Sequence, residues 1–121
     1  MRVLLADDHR EVLSALSLLL DDEPGLRVVG EALDVRSLLD ATAKLSPDLI
    51  LLDWELPGLP SPEIVRELLA RRRDLAIIAL SGRAEAEQSA LASGASAFVS
   101  KGDPPERLLE VLRMFEAGER F

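Results

Sequence analysis

The chain contains no cysteine, which excludes a disulfide framework and thiolate chemistry and agrees with a cytoplasmic setting. No apolar run approaches the ~20 residues of a membrane span, so no membrane partner is expected. Strand-like residues begin at Arg2, so no secretory leader is expected ahead of them. Repeats, linkers and low-complexity stretches are missing too, and the 121 residues read as one domain, 1–121, with a single core. Positive charge is scarce: 14 Lys and Arg stand against 22 Asp and Glu, a net charge of −8. Such a surface repels phosphate backbones, so this domain is not expected to bind nucleic acid by itself. Only two of the 14 basic residues are lysine, for which we have no physical account.

What is present is a globular balance of 48% apolar and 30% charged residues. Short apolar runs at Val3–Ala6, Leu26–Gly30, Leu49–Leu52, Leu75–Leu80 and Ala97–Val99 read as strands. Amphipathic patterns follow each one. Val12, Leu13, Leu16, Leu19 and Leu20 form one stripe, with Asp8 and Glu11 at capping-box spacing. Val35, Leu38, Leu39 and Thr42 form a second, closed by Ser46-Pro47. Ser61-Pro62 reads as an N-cap and first-turn proline for a third stripe of Ile64, Val65, Leu68 and Leu69. Arg71–Arg73 sit at its C-terminal end, where cations favour the helix dipole. The fourth helix, Arg83–Ser93, has almost only alanine to bury, with Leu91 its one large apolar residue. Its docking is therefore expected to be weak. Gly94 reads as its C-terminal cap. The last helix starts at Asp103-Pro104-Pro105-Glu106, turns Leu108, Leu109, Val111, Leu112 and Phe115 inward, and ends at Gly118. Strict strand–helix alternation predicts an α/β fold, a doubly wound five-stranded parallel sheet covered by five helices. In such folds ligands sit beyond the carboxyl ends of the strands.

Those ends carry polar residues. The first strand ends in Asp7-Asp8, the third in Asp53, the fourth in Ser81 and the fifth near Lys101. Singly, Asp8 is also a helix cap, Ser81 a turn residue and Lys101 a surface lysine. One sheet edge collects all five. Three carboxylates there repel one another, and a hard divalent cation such as Mg²⁺ relieves the repulsion. A carboxylate oxygen can also attack phosphorus and form an acyl phosphate. Ser81 could then donate to one phosphoryl oxygen and Lys101 neutralise another.

Four separated segments, L-L-A-D-D-H, L-I-L-L-D-W-E-L-P-G, A-L-S-G and F-V-S-K, occur in order. On these motifs the chain resembles, over essentially its whole length, the receiver domain of bacterial two-component response regulators. The resemblance implies a flavodoxin-like sheet of order 2-1-3-4-5. It implies Asp53 as the phosphoacceptor, charged by a partner histidine kinase. Mg²⁺ would be held by Asp8 and Asp53 directly, by Asp7 mainly through water, and by the backbone carbonyl of Glu55. Ser81 and Lys101 would bind the phosphoryl group, and Ser81 and Phe98 would change position with the state. A-D-D-H and the closing R-M-F-E-A-G-E-R-F look most like the subfamily whose receiver precedes a LuxR-type helix-turn-helix DNA-binding domain. That effector is not in this chain; the last residues read as the start of a linker. A homodimer on activation, and DNA contacts only through the missing domain, are further expectations. His9, the one histidine, reads as a helix-start residue beside the acidic cluster and not as a phosphodonor.

Several positions depart from the family. Trp54 follows Asp53 where an aliphatic residue is usual, and strand alternation turns it away from the Asp53 side into the core. Pro60-Ser61 replaces Asp-Gly, which stiffens the loop. Gly102 follows Lys101 where proline, often after a cis bond, is common; without proline that bond costs about 2.5–4 kcal/mol, which puts the reach of Lys101 in doubt. Glu55 and Arg83, each two residues beyond a strand-end residue, are expected to approach across the mouth of the site and limit hydrolytic water. Other readings are a stand-alone phosphorelay or adaptor receiver, and a Mg²⁺-dependent phosphatase with an Asp nucleophile and Glu55 as second acid. No cap domain is present for the latter. A flavin-binding reading fails because the first strand–helix loop is acidic, with no Gly- or Ser-rich phosphate cradle.

Overall fold

Each apolar run becomes a strand in the computed structural model, which describes residues 1–118. The strands are β1 (Arg2–Ala6), β2 (Arg27–Ala32), β3 (Leu49–Asp53), β4 (Ala76–Ser81) and β5 (Ala97–Ser100). They form one sheet in the order β2-β1-β3-β4-β5, with every pairing parallel. The intervening helices are α1 (Arg10–Asp21), α2 (Val35–Leu45), α3 (Ser61–Arg71), α4 (Ala86–Ser93) and α5 (Pro105–Glu116). None of the described helices is long and apolar enough to cross a membrane. The closing residues, read above as the start of a linker, extend past 118 and lie outside the described residues.

β3 and β4 are buried along their whole length, as continuous apolar runs in a helix-covered sheet require. Side-chain alternation splits the core in two. Ile50, Leu52 and Trp54 pack with α2, α3 and α4, while Leu49 and Leu51 pack with α1 and α5. Trp54 therefore belongs to the core, as its parity with Leu52 predicts. β1 separates β2 from β3, so strand order reverses between β1 and β3. Ala6 pairs with Leu52 there, so Asp7 and Asp53 emerge side by side at this switch point.

Three local expectations change. Asp8 does not cap α1: His9 takes the N-cap position, and no side-chain cap bond forms. The helix then starts at Arg10, which moves Glu11 out of capping-box register. Ser61 does not cap α3 either. Pro60 occupies that position, and the Ser61 hydroxyl donates to the buried Trp54 carbonyl, tying α3 to the exit of β3. The capping box belongs to α2, between Asp34 and Ser37. α4 begins at Ala86 instead of Arg83, because a turn from Ala86 N–H to the Arg83 carbonyl precedes it. It buries Ala86 and Ala90 and leaves Leu91 exposed, so the seam is as thin as its alanines imply. In α5, Leu109 is half-buried and the helix ends at Glu116, with Gly118 just beyond.

The loop after Asp53 is fixed by close packing. Gly58 has φ +127°, and a Cβ there would lie 2.8 Å from Val35 Cγ2. Only glycine fits, so the loop rests against the start of α2 and holds the mouth of the site in place.

Candidate functional site

The carboxyl edge of the sheet gathers the residues singled out above. Asp7 and Asp53 are buried, at 2% and 1% exposure, while Asp8 is exposed. Lys101 reaches both buried carboxylates, with Nζ 3.1 Å from Asp7 Oδ2 and 3.1 Å from Asp53 Oδ1. No peptide bond among the described residues is cis, so a trans Lys101–Gly102 bond suffices for that reach. The Glu55 N–H also donates to Asp53 Oδ1, at 3.1 Å. Asp53 Oδ2 is left buried with no hydrogen-bond partner. Burial raises the Asp53 pKa above the usual carboxylate value, and Asp7 adds to this; the Glu55 N–H and Lys101 oppose it without cancelling it. For Lys101, burial acts to lower the pKa, but Asp53 and Asp7 together outweigh it and the net shift is upward.

His9 is drawn into the cluster. Its backbone N–H donates to Asp7 Oδ1 at 2.9 Å, and its Nδ1 lies 3.0 Å from Asp7 Oδ1 and 3.1 Å from Asp8 Oδ1. The hydrogen bond to Asp7, then the charge of Asp8, raises its pKa. One ligand atom from each of Asp7, Asp8, His9 and Asp53 can be chosen so that all lie within 4.8 Å of one another.

Across the mouth, Ser81 is fully buried and its hydroxyl donates to the Glu55 carboxylate, at 3.0 and 3.2 Å. The Arg83 N–H donates to Ser81 Oγ at 3.0 Å, and the Arg83 guanidinium lies 3.5 Å from Glu55 Oε2. The expected approach of Glu55 and Arg83 is therefore present. The Ser81–Glu55 bond was not foreseen; the spacing of Glu55 and Arg83 around it was the available signal. Phe98 is half-buried against the α2–α4 side of the core, in register with Ala79.

The chain matches the response regulator receiver domain over residues 3–113. It belongs to the response regulator receiver family. It is 32% identical, along its full length, to the response regulator GacA of Pseudomonas viridiflava and covers 58% of that protein. It is 30% identical to the response regulator UvrY of Escherichia coli, covering 56% of it. The receiver thus spans little more than half the length of these curated relatives. Among solved structures, a LuxR-family two-component response regulator from Aurantimonas superposes with a TM-score of 0.91 at 28% identity, over 98% of this chain and 86% of that one. The isolated receiver domain of RcsB from Salmonella enterica, in the presence of phosphomimetic BeF3⁻, gives 0.93 at 25% identity, over 100% and 91%. These relatives fit the LuxR-type subfamily, and they establish the chain as a two-component receiver, a signalling module.

Proposed function

We propose that this receiver takes a phosphoryl group on Asp53 from a sensor histidine kinase in the cytoplasm, with Mg²⁺ in its acidic cluster. It then dimerises and controls a DNA-binding output domain that follows it in the full-length protein. The observation carrying the reading is Asp53 itself. Its Oδ1 is pinned by Glu55 N–H and Lys101, whereas Oδ2 is buried and free of partners. An oxygen so placed is a nucleophile that need not break a hydrogen bond to react. It attacks phosphorus and forms the Asp53 acyl phosphate. The bond from phosphorus to the kinase imidazole breaks, and its electron pair returns to that nitrogen.

The donor set fits Mg²⁺, since hard carboxylate oxygens of Asp7, Asp8 and Asp53 come within 4.8 Å of one another and one buried oxygen of Asp53 has no hydrogen-bond partner. Those side chains and the Glu55 backbone carbonyl would hold it, and when bound it supplies positive charge for the phosphoryl oxygens. Lys101 neutralises a further oxygen. Ser81 must leave Glu55 to donate to the phosphoryl group; the thinly docked α4 follows, and Phe98 changes rotamer to fill the vacated space. The length of the relatives and the LuxR-family likeness support the DNA-binding output.

Radiolabel from a small phosphodonor is expected to enter the wild type with Mg²⁺ and to be absent from Asp53→Ala. Label retained by that variant rejects Asp53 as the acceptor. Glu55 and Arg83 are the modulators in this scheme: their pair narrows the route of hydrolytic water. An exposed ion pair is worth up to about 1 kcal/mol, so Arg83→Ala is expected to shorten the phosphoryl lifetime by up to about fivefold. An unchanged lifetime removes that role.

A further inference from the structure

We propose that the cleft between α1 and α5 is a regulatory site for a small amphiphilic amine, an apolar body with one cationic head. The binding claim stands on the cleft itself; its effect on phosphoryl uptake rests on the acceptor reading above. The cleft has a volume of about 410 Å³. Small-molecule sites run from about 300 to 1,000 Å³. Val12, Leu16 and Leu19 of α1 line it and are only half-buried. Leu108 of α5 faces them, and the buried Leu80 and Val99 form the floor. Ala15 on α1 and Pro104-Pro105 at the start of α5 also line the space and are too short to close it.

The polar residues of the lining sort by charge. Lys101 contributes its stem, while its ammonium is committed to Asp7 and Asp53 at 3.1 Å from each. The Ser100 hydroxyl oxygen receives the Gly102 N–H. Glu11 and Asp103 are exposed, and among the described residues neither carboxylate makes an ion pair or a hydrogen bond. An entering anion would therefore meet two uncompensated carboxylates and no spare cation, whereas a cation would be attracted by both. The lining is a concavity built from two helices, two strands and a loop. That shape suits a compact body more than a helix, which needs an extended groove.

An occupant packed against the stem of Lys101 bears directly on Asp53. Lys101 must leave Asp53 Oδ1 to take a phosphoryl oxygen, and its stem shifts as it does so. A filled cleft holds the stem in place and keeps the ammonium on the two carboxylates. Loading of Asp53 then slows while the amine is bound.

Tryptamine, skatole and indolepropionate share one apolar body and carry a cationic, a neutral and an anionic head. Each is titrated into the isotope-labelled 1–121 chain while backbone amide resonances are followed. Tryptamine is expected to bind with a dissociation constant of about 1 mM or tighter, with shifts centred on Val12, Val99 and Leu108. It should bind about tenfold tighter than skatole, as two exposed ion pairs allow, and indolepropionate should bind weakest. Ala15→Phe, which places a ring in the cleft from an exposed helix position, should abolish binding, and its amide spectrum reports that it is folded. Glu11→Gln/Asp103→Asn should keep skatole binding and lose the preference for tryptamine. Saturating tryptamine should slow radiolabelling of Asp53 severalfold in the wild type and leave Ala15→Phe unaffected. The proposal is overturned by tighter binding of indolepropionate, by shifts that persist in Ala15→Phe or by an unchanged labelling rate. It is overturned too if the wild type binds no indole but self-associates through a face that Ala15→Phe disrupts, since a second copy then fills the cleft. Absence of label from the ligand-free wild type strikes the Asp53 reading instead.

Discussion

Asp53→Asn is expected to abolish phosphoryl uptake and, in the absence of any divalent cation, to make the domain more stable. The two outcomes have one cause. Asp53 is 1% exposed and one of its oxygens has no partner, so its charge is held in a place that water would serve better. Burial raises its folded-state pKa above the ordinary 3.8. A carboxyl with a raised folded pKa binds its proton more tightly when folded. Its favourable contribution is therefore present at low pH and is lost as pH rises from the ordinary value through the folded one. At neutral pH the ionised group costs stability, and the amide removes that cost. A gain of about 1–2 kcal/mol is expected, the size of one unsatisfied buried polar group less the Lys101 contact that Asn weakens. Urea unfolding without cation, repeated from neutral to about pH 4, measures it, and the gap should close as pH falls towards the carboxylate range. A less stable variant at neutral pH would contradict the account. Cation added to the wild type works against the gap as well, and at a hundred times its dissociation constant its stabilisation of about 2.7 kcal/mol reverses it.

Lys101→Met is expected to move stability the other way. Among the described residues its ammonium is the one group that bridges Asp7 and Asp53, each at 3.1 Å. Removing one partner of a buried charge cluster costs about 3–5 kcal/mol when solvent is excluded. Lys101 keeps 29% of its side chain exposed, so water already shares its charge and about 2–3 kcal/mol is the better expectation. The double variant Lys101→Met/Asp53→Asn should recover much of the loss, because only Asp7 then remains to repel. A double-mutant cycle by urea unfolding reads the coupling directly. A Lys101→Met loss of the same size in the wild type and in Asp53→Asn would show that Lys101 acts through its methylene packing and not through the carboxylates.

The parallel sheet and the clustering of Asp7, Asp8, Asp53, Ser81 and Lys101 were legible because each depends on short-range pattern, whereas the strand order came from the family resemblance. Apolar runs end in polar residues, and a parallel sheet puts those ends on one edge. What escaped depends on competition between neighbours. Ser61 looks like a cap, but the carbonyl of Trp54 is buried beside it and takes its hydroxyl. Asp34, four residues past a strand-like run, was passed over although it caps α2. His9 was placed correctly at the helix start; only coordinates show its ring facing the carboxylates. The Ser81–Glu55 bond spans 26 residues and two strands, so its existence hangs on sheet register and on one rotamer. For Lys101, the concern over a missing proline proved unnecessary, because its stem is long enough to reach both carboxylates from a trans backbone.

A serine hydroxyl has a single proton to give. In this conformation that proton is committed to Glu55, while the oxygen that bears it receives the Arg83 amide. Donation to Glu55 and donation to a phosphoryl oxygen therefore exclude each other by simple stoichiometry. A side chain with two donors could serve both acceptors and blur the boundary between off and on. On the proposed mechanism Ser81 cannot occupy the middle, and the sharpness of the switch would follow from the valence of one atom.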